Sequence, residues 1–288
     1  EGHETIVSTS TTPAITDNEI DSFLFRINDD VKNKVLVLTG ESVEHFPIPI
    51  LFGVSIGDFQ DTWGDARPSG RVHTGTDMNA SLGELVVSPT DAVVTKIGYE
   101  NRGGNFVITA NPGGEQLYFA HLDRAAENLS IGDILKPGDL IGYVGNTGNA
   151  RGKLPHLHLG IYYKGVAQNP FSRLVREFTL EEKLAVVEKI LVANKIALGA
   201  NNAGVRFLQR FLIHQSMGPY SQTLARSGAT GYFGSITKNA LSEYQQVTKI
   251  TPSSGYFGPV TKANILSALS PNSTSTGQVA EMSEEIIP

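Results

Sequence analysis

Apolar and polar positions divide this chain into stretches with different periods. From about Phe46 to Leu174 the apolar residues come in short runs, among them ELVVSP, AVVTKIGY, NFVITA, QLYFAHL, LIGYVGN and HLHLGIYY, separated by Gly, Pro and Asn. β-Branched and aromatic residues suit a pleated, half-buried surface, so closely spaced runs with turn residues between them predict an antiparallel sheet. After Pro170 the period changes. Thr179 and Glu182 form a T-x-x-E capping box, Leu180, Leu184, Val187 and Leu191 follow at helical spacing, and Gly199 is placed to stop the helix. Further on, GYFGSITKNA (231 to 240) is echoed by GYFGPVTKAN (255 to 264). Ser235 and Pro259 each open a helix there, because Pro is tolerated in a first helical turn. With GVRFLQRFLIHQ (204 to 215) these make a small three-helix module.

The expected organisation is a multidomain α+β chain. A flexible segment covers 1–45, an antiparallel β-sheet domain 46–175, a connector helix lies within 176–202, and a three-helix all-α module covers 203–270. The polar, acid-ended stretch 271–288 reads as a disordered tail, and the Ser, Thr and acid-rich start as a mobile lead-in.

Composition narrows the chemistry. The 288 residues are 40% apolar and 18% charged, which is ordinary for a globular protein with a sizeable core. No apolar run is long enough to span a bilayer. The start at Glu1 without Met suits an exported product whose signal peptide is already gone. Cysteine is absent, which excludes disulfides, thiolate metal sites and cysteine nucleophiles, so any metal must rest on His and carboxylate. The net charge of -6 hides a division. Residues 200 to 270 carry Arg206, Arg210, Arg226, Lys238, Lys249 and Lys262 against Glu243 alone, so an acidic body is followed by a basic module suited to an anionic partner.

The chain has only seven histidines, yet His156 and His158 flank one Leu inside an apolar run. Side chains at i and i+2 of a strand share a face, so both rings can reach one point. Upstream, RVHTGTDMNA sets His73 four residues before Asp77, and LYFAHLD ends on His121. A hydrolytic zinc site wants three N/O protein ligands and an open position for water. His73, Asp77 and one member of the 156/158 pair make up such a set, and two histidines remain to move protons. No H-E-x-x-H, G-x-S-x-G or G-x-x-x-x-G-K-[ST] occurs, and VGNTGNARG reads as a loop shaping a groove wall.

HTGTD, YFAHLD, GYVGNTGNARGKLPHLHLGIY and NPFSRL, in this order, resemble the lysostaphin-type zinc metallopeptidases, which cut the peptide part of bacterial peptidoglycan. The resemblance covers roughly residues 47 to 174. It implies that one Zn2+ ion is held by His73, Asp77 and His158, with His121 and His156 as the catalytic pair acting on the attacking water and the tetrahedral oxyanion. Some relatives place a Tyr about six residues before the first ligand, where this chain has Arg67; Arg67 or Arg71 is the candidate to replace it or to orient substrate. Asp123 is a candidate to orient an imidazole. GVRFLQRFL and the two GYFG segments resemble a small peptidoglycan-binding domain, with Tyr232 and Tyr256 as candidate wall contacts and Phe233 and Phe257 as core. The expectation is a monomeric secreted or envelope zinc endopeptidase with peptidoglycan as substrate and anchor, and no nucleic-acid partner. The competing class is a non-catalytic wall-binding scaffold.

Overall fold

A computed structural model describes residues 29–38 and 40–270. The chain divides into two compact units, the first made mainly of residues up to Arg176 and the second mainly of residues from Glu177 onward. The expected tail, and the lead-in through residue 28, lie outside the described residues.

The first unit opens with helix α1 (Asp29–Leu36). Here the structure departs from the expected flexible segment over 1–45. Asp29 and Asp30 begin the helix, Lys34 pairs with Asp30 at 2.9 Å one turn apart, and Val31 is buried. In chain order the strands are β1 (Phe46–Pro47), β2 (Ala66–Arg67), β3 (Arg71–Val72), β4 (Thr76–Asn79), β5 (Leu85–Val87), β6 (Ala92–Glu100) and β7 (Gly104–Asn111). They continue with β8 (Glu115–Leu122), β9 (Arg124–Ala125), β10 (Ile134–Leu135), β11 (Leu140–Tyr143), β12 (His156–Tyr163), β13 (Val166–Gln168) and β14 (Leu174–Arg176).

The main sheet runs β10-β6-β7-β8-β12-β13, with β4 also on β12, and every pairing in it is antiparallel. A smaller sheet, β5-β11-β9, is antiparallel too, whereas β1 and β14 pair in parallel. Alternation explains the core. Val94, Val107, Leu117, Phe119, Leu157, Leu159 and Ile161 are all buried in one cluster, and the residues between them face the other side of the sheet. Arg173, from NPFSRL, ties the start of the domain down: its guanidinium grips Glu115 at 2.7 and 2.9 Å and also donates to the carbonyls of Val43 and Glu44.

Among the described residues the second unit has helices α2 (Leu180–Ala193), α3 (Ala203–Gln215), α4 (Pro219–Ser227), α5 (Ser235–Val247) and α6 (Pro259–Ala268). The capping box at α2 is present in both directions, Glu182 N–H to Thr179 Oγ1 at 3.2 Å and Thr179 N–H to Glu182 Oε2 at 2.6 Å. This helix belongs to the helical unit itself, burying Val186, Val187, Ile190 and Leu191 and packing against α3 and α6, so a separate connector is not what forms. It also stops at Ala193, where the Asn194 side chain donates to the carbonyl of Ile190, short of the expected Gly199. The module after it has four helices where three were expected. α4 is brief, begins at Pro219 after Gly218, and buries only Leu224 among its apolar residues, so it offers too few apolar positions to be read from the sequence.

The sequence repeat has a structural counterpart. Gln209 accepts from Gly231 N–H and donates to the Tyr232 carbonyl and Thr237 Oγ1; Gln245 does the same with Gly255, Tyr256 and Thr261. Each glutamine uses both its amide oxygen and its amide nitrogen to tie one loop to the helix that follows it, and each loop leaves its Tyr exposed.

Candidate metal centre and catalytic histidines

Strands β4 and β12 lie antiparallel in a register that sets His158 directly opposite Asp77. His73 arrives from the turn between β3 and β4. The outcome is a close triangle of donor atoms: His73 Nε2 to Asp77 Oδ1 3.1 Å, His158 Nδ1 to Asp77 Oδ1 2.9 Å, and His73 Nε2 to His158 Nδ1 3.0 Å. These are the three residues whose ligand atoms come close enough together to hold a metal ion among the described residues.

Which nitrogen each ring offers follows from what holds its other side. The Nδ1–H of His73 donates to the Thr62 carbonyl at 2.8 Å, which leaves the Nε2 lone pair facing the triangle. His158 turns Nδ1 inward, and the opposite edge of its ring lies against Gly75. A Cβ on Gly75 would come within 2.5 Å of that ring and of the Leu159 carbonyl oxygen, so the glycine of HTGTD is a condition of His158 standing where it does. Burial raises the affinity of Asp77 for its proton, but hydrogen bonds and charge from His158 and His73 outweigh it and hold the carboxyl well below the ordinary range. Burial also pulls His158 below its usual value, against the opposing influence of Asp77. Metal ligation needs a carboxylate and an unprotonated ligating nitrogen, and the shifts of Asp77 and His158 run in that direction. Lone pairs 3 Å apart repel unless a proton or a cation sits among them, so the donor set fits a divalent ion.

His121 and His156 stand beside this triangle. Their ring centroids are 4.9 Å apart, and His121 is 5.9 Å from His158. Both send Nδ1 to a main-chain carbonyl, His121 to Thr147 at 3.0 Å and His156 to Leu154 at 2.9 Å, leaving Nε2 for chemistry. Burial first, then the neighbouring histidines, lower His121 to a pKa of about 4, so it is neutral at pH 7 and able to accept a proton.

His121 reaches the site through a backbone irregularity. Phe119 pairs with Val107 but Leu122 pairs with Asn105, so β8 carries one residue more than β7 across this interval. Strict alternation would send residue 121 to the core face with Leu117 and Phe119. Instead it adopts φ 59, and its N–H donates to the Gly103 carbonyl at 2.6 Å. The loop VGNTGNARG supports the same ring: Thr147, besides its carbonyl on His121, donates Oγ1–H to the Leu122 carbonyl at 2.7 Å and accepts Asn105 N–H at 2.9 Å. The wall beyond His158 holds Tyr118, whose hydroxyl donates to Glu100 at 2.5 Å and whose ring meets His158 edge-on. Burial and Glu100 push the Tyr118 phenol well above its ordinary range, so it stays protonated.

Asp123 orients no imidazole; its carboxylate pairs with Arg124 at 2.9 Å, and the role foreseen for it falls to the Thr147 carbonyl. Arg67 donates Nη2–H to Asp77 Oδ2 at 3.1 Å. Arg71 pairs with Arg67 across the β2-β3 hairpin and is exposed. Tyr232 and Tyr256 are 54% and 67% exposed, Phe233 is buried, and Phe257 is half-buried. Thr62, Gly75 and Thr147 carry no chemistry of their own, which is why residue type alone passes over them.

Comparison with known proteins places this geometry. Residues 71–170 match Peptidase family M23, and residues 201–265 match a putative peptidoglycan binding domain. An L-Ala--D-Glu endopeptidase of Bacillus subtilis (strain 168) is 40% identical over 127 residues, covering 41% of this chain and 38% of that protein. The DD-carboxypeptidase/endopeptidase Mpg of Neisseria meningitidis serogroup B is 34% identical over 121 residues, 42% of this chain and 25% of its own length. Lysostaphin of Staphylococcus simulans is 30% identical over 112 residues, 37% of this chain and 22% of its own. This chain therefore spans less than two fifths of the length of each of these relatives. The solved catalytic domain of lysostaphin from Staphylococcus simulans aligns at 25% identity with a TM-score of 0.35, over 40% of this chain and 91% of that one.

Proposed function

We propose that this chain, which carries a peptidase family M23 domain followed by a peptidoglycan-binding domain, is a zinc endopeptidase that hydrolyses peptide bonds in the stems or cross-bridges of bacterial peptidoglycan. The observation that carries the reading is the meeting of the 3 Å His73–Asp77–His158 triangle with two further imidazoles whose Nε2 atoms are uncommitted. His73, Asp77 and His158 would hold the zinc. When bound, zinc polarises the scissile carbonyl and lowers the pKa of a water toward neutrality.

The remaining work belongs to the two free imidazoles. His121, neutral at pH 7, accepts the proton of the attacking water at Nε2, and the same nitrogen then donates it to the leaving amine. His156, held by its Nδ1 on the Leu154 carbonyl, turns Nε2 toward the same space beside His121 and is placed to face the developing oxyanion. The carbonyls of Thr147 and Leu154 keep both rings turned the right way throughout.

The peptidase domain is assigned to residues 46–175 and the wall-binding module to 203–270, acting as a monomer in the cell wall or envelope. Among the described residues no helix is long and apolar enough to cross a membrane. The basic character of the module suits an anionic wall, and the twin loops offer Tyr232 and Tyr256 to it. A weak binder joined to a peptidase raises the concentration of the active site at an insoluble substrate. Deleting residues 200 to 288 is accordingly expected to weaken sedimentation with wall sacculi while cleavage of a small soluble peptide stays close to that of the full chain. Equal sedimentation of both forms would refute the targeting role.

The primary test is release of new amino groups from purified peptidoglycan by the protein as isolated, after chelation, and after zinc is restored. Release that stops with chelator and returns with zinc supports the peptidase. Binding to sacculi with no amine under any condition would make the chain a wall-binding scaffold.

A further inference from the structure

The geometry points to Arg67 as a positioning residue for the metal ligand Asp77, and we propose that it fixes how many oxygens that carboxylate gives to the ion. This rests on the zinc site proposed above. Asp77 has two oxygens in unlike surroundings. Oδ1 faces His158 and His73 at 2.9 and 3.1 Å, and Oδ2 accepts from Arg67 Nη2 at 3.1 Å. The guanidinium is therefore bound to the oxygen turned away from the donor triangle. A carboxylate released from that bond is free to rotate and offer both oxygens, which would use up a position that water and substrate need.

Arg67 is built into its place. It lies in a tight hairpin, paired with Arg71 across β2 and β3, and Pro68 and Gly70 form the turn between them, the latter at φ 70. The same hairpin delivers His73, two residues after Arg71, so one element sets both the first histidine ligand and the partner of the aspartate. The Arg67 side chain is 35% exposed and that of Asp77 27%, which leaves the pair partly shielded from solvent. Each neighbouring ligand is handled in the same manner, His73 by the Thr62 carbonyl and His158 by contact with Gly75. Arg67 completes that outer set.

Two influences of opposite sign meet here. Arg67 brings a positive charge near the place of a dication, which weakens binding, and it orients the carboxylate, which strengthens it. Loss of a hydrogen-bonding partner of a metal ligand ordinarily costs about 10–100-fold in metal affinity. The charge lies on the oxygen turned away from the donor triangle, farther from the place of the ion than Oδ1 is. Orientation is expected to prevail.

The test measures zinc affinity by competition with a chromophoric chelator, with no peptidoglycan present, so its result does not depend on whether the proposed hydrolysis occurs. Arg67→Ala is expected to weaken zinc binding about 10-fold or more. Arg67→Lys, which keeps one cationic donor, should recover part of the loss, and Arg71→Ala should bind as the parent does. Cobalt substituted for zinc reads the coordination directly: weaker visible absorption bands in Arg67→Ala indicate added ligation by the second oxygen. Should alanine disturb the hairpin, Arg67→Gln retains a side-chain N–H donor and serves in its place. Unchanged zinc affinity with a raised KM for a wall peptide would overturn the proposal and make Arg67 a reader of substrate. Tighter zinc binding in Arg67→Ala would overturn it too, by showing that repulsion dominates.

Discussion

The two halves of the candidate site use the same side chain in opposite ways. In the triangle, two imidazole nitrogens and a carboxylate oxygen point at one another from 3 Å, an arrangement that repels itself until something positive enters. In the pair, His121 and His156 turn Nδ1 to main-chain carbonyls and keep their rings 4.9 Å apart. Neither ring type nor burial separates the two roles, since His73, His121 and His156 are all buried. His73 even shares the pair's carbonyl bond at Nδ1, so the difference lies in the other nitrogen, which in the triangle meets a carboxylate and a second imidazole.

The largest expected effects divide along this line. His158→Ala or Asp77→Ala removes one of the three proposed ligands, so bound zinc measured by elemental analysis should fall from about one equivalent to a small fraction, and amine release should fall to background. His121→Ala or His156→Ala should retain zinc while the rate drops by about 10²–10⁴-fold, the usual worth of a positioned acid or base. Parallel loss of zinc in both sets would erase the distinction between triangle and pair.

A smaller effect is expected at Gly75, which bears on the triangle alone. Alanine there would place Cβ 2.5 Å from the His158 ring and from the Leu159 carbonyl, and neither belongs to a flexible chain end. Overpacking of this kind costs about 1–3 kcal/mol. Thermal unfolding of Gly75→Ala should show that loss, and its zinc affinity should fall as His158 is displaced. Normal zinc affinity in a destabilised protein would show that the ring relocates without losing its aim.

What the sequence discloses and what it conceals separate for physical reasons. Strand alternation is local, so the shared face of His156 and His158 follows from their spacing, as the capping box of α2 follows from Thr179 and Glu182. The opposition of Asp77 and His158 is a register between strands about eighty residues apart, and only tertiary pairing sets it. The bulge that turns His121 from the core face depends on Gly103 and on the loop around Thr147, neither of which has a period to read. Arg67 shows a different limit: a cation near a ligand motif suits a substrate contact and a carboxylate contact equally, and its bond to Oδ2 is visible only in the fold. In the helical unit, α4 escapes notice because nine mostly polar residues with one buried apolar side chain are too short a run to show a repeat of apolar positions.

The subtlest expected effect tests the pair without touching the triangle. Thr147 joins three segments: its hydroxyl donates to Leu122 and accepts from Asn105, and its carbonyl holds His121. Thr147→Val keeps the shape and the carbonyl but leaves Asn105 N–H without its partner, at a cost of about 1–3 kcal/mol for an unmet buried donor. Zinc affinity should be unchanged, because no bond to His73, Asp77 or His158 is altered. The rate should fall only several-fold, since His121 loses rigidity around its carbonyl acceptor but retains the bond itself. A rate as low as that of His121→Ala would mean that the hydroxyl, and with it the bulge, decides whether His121 faces the site at all.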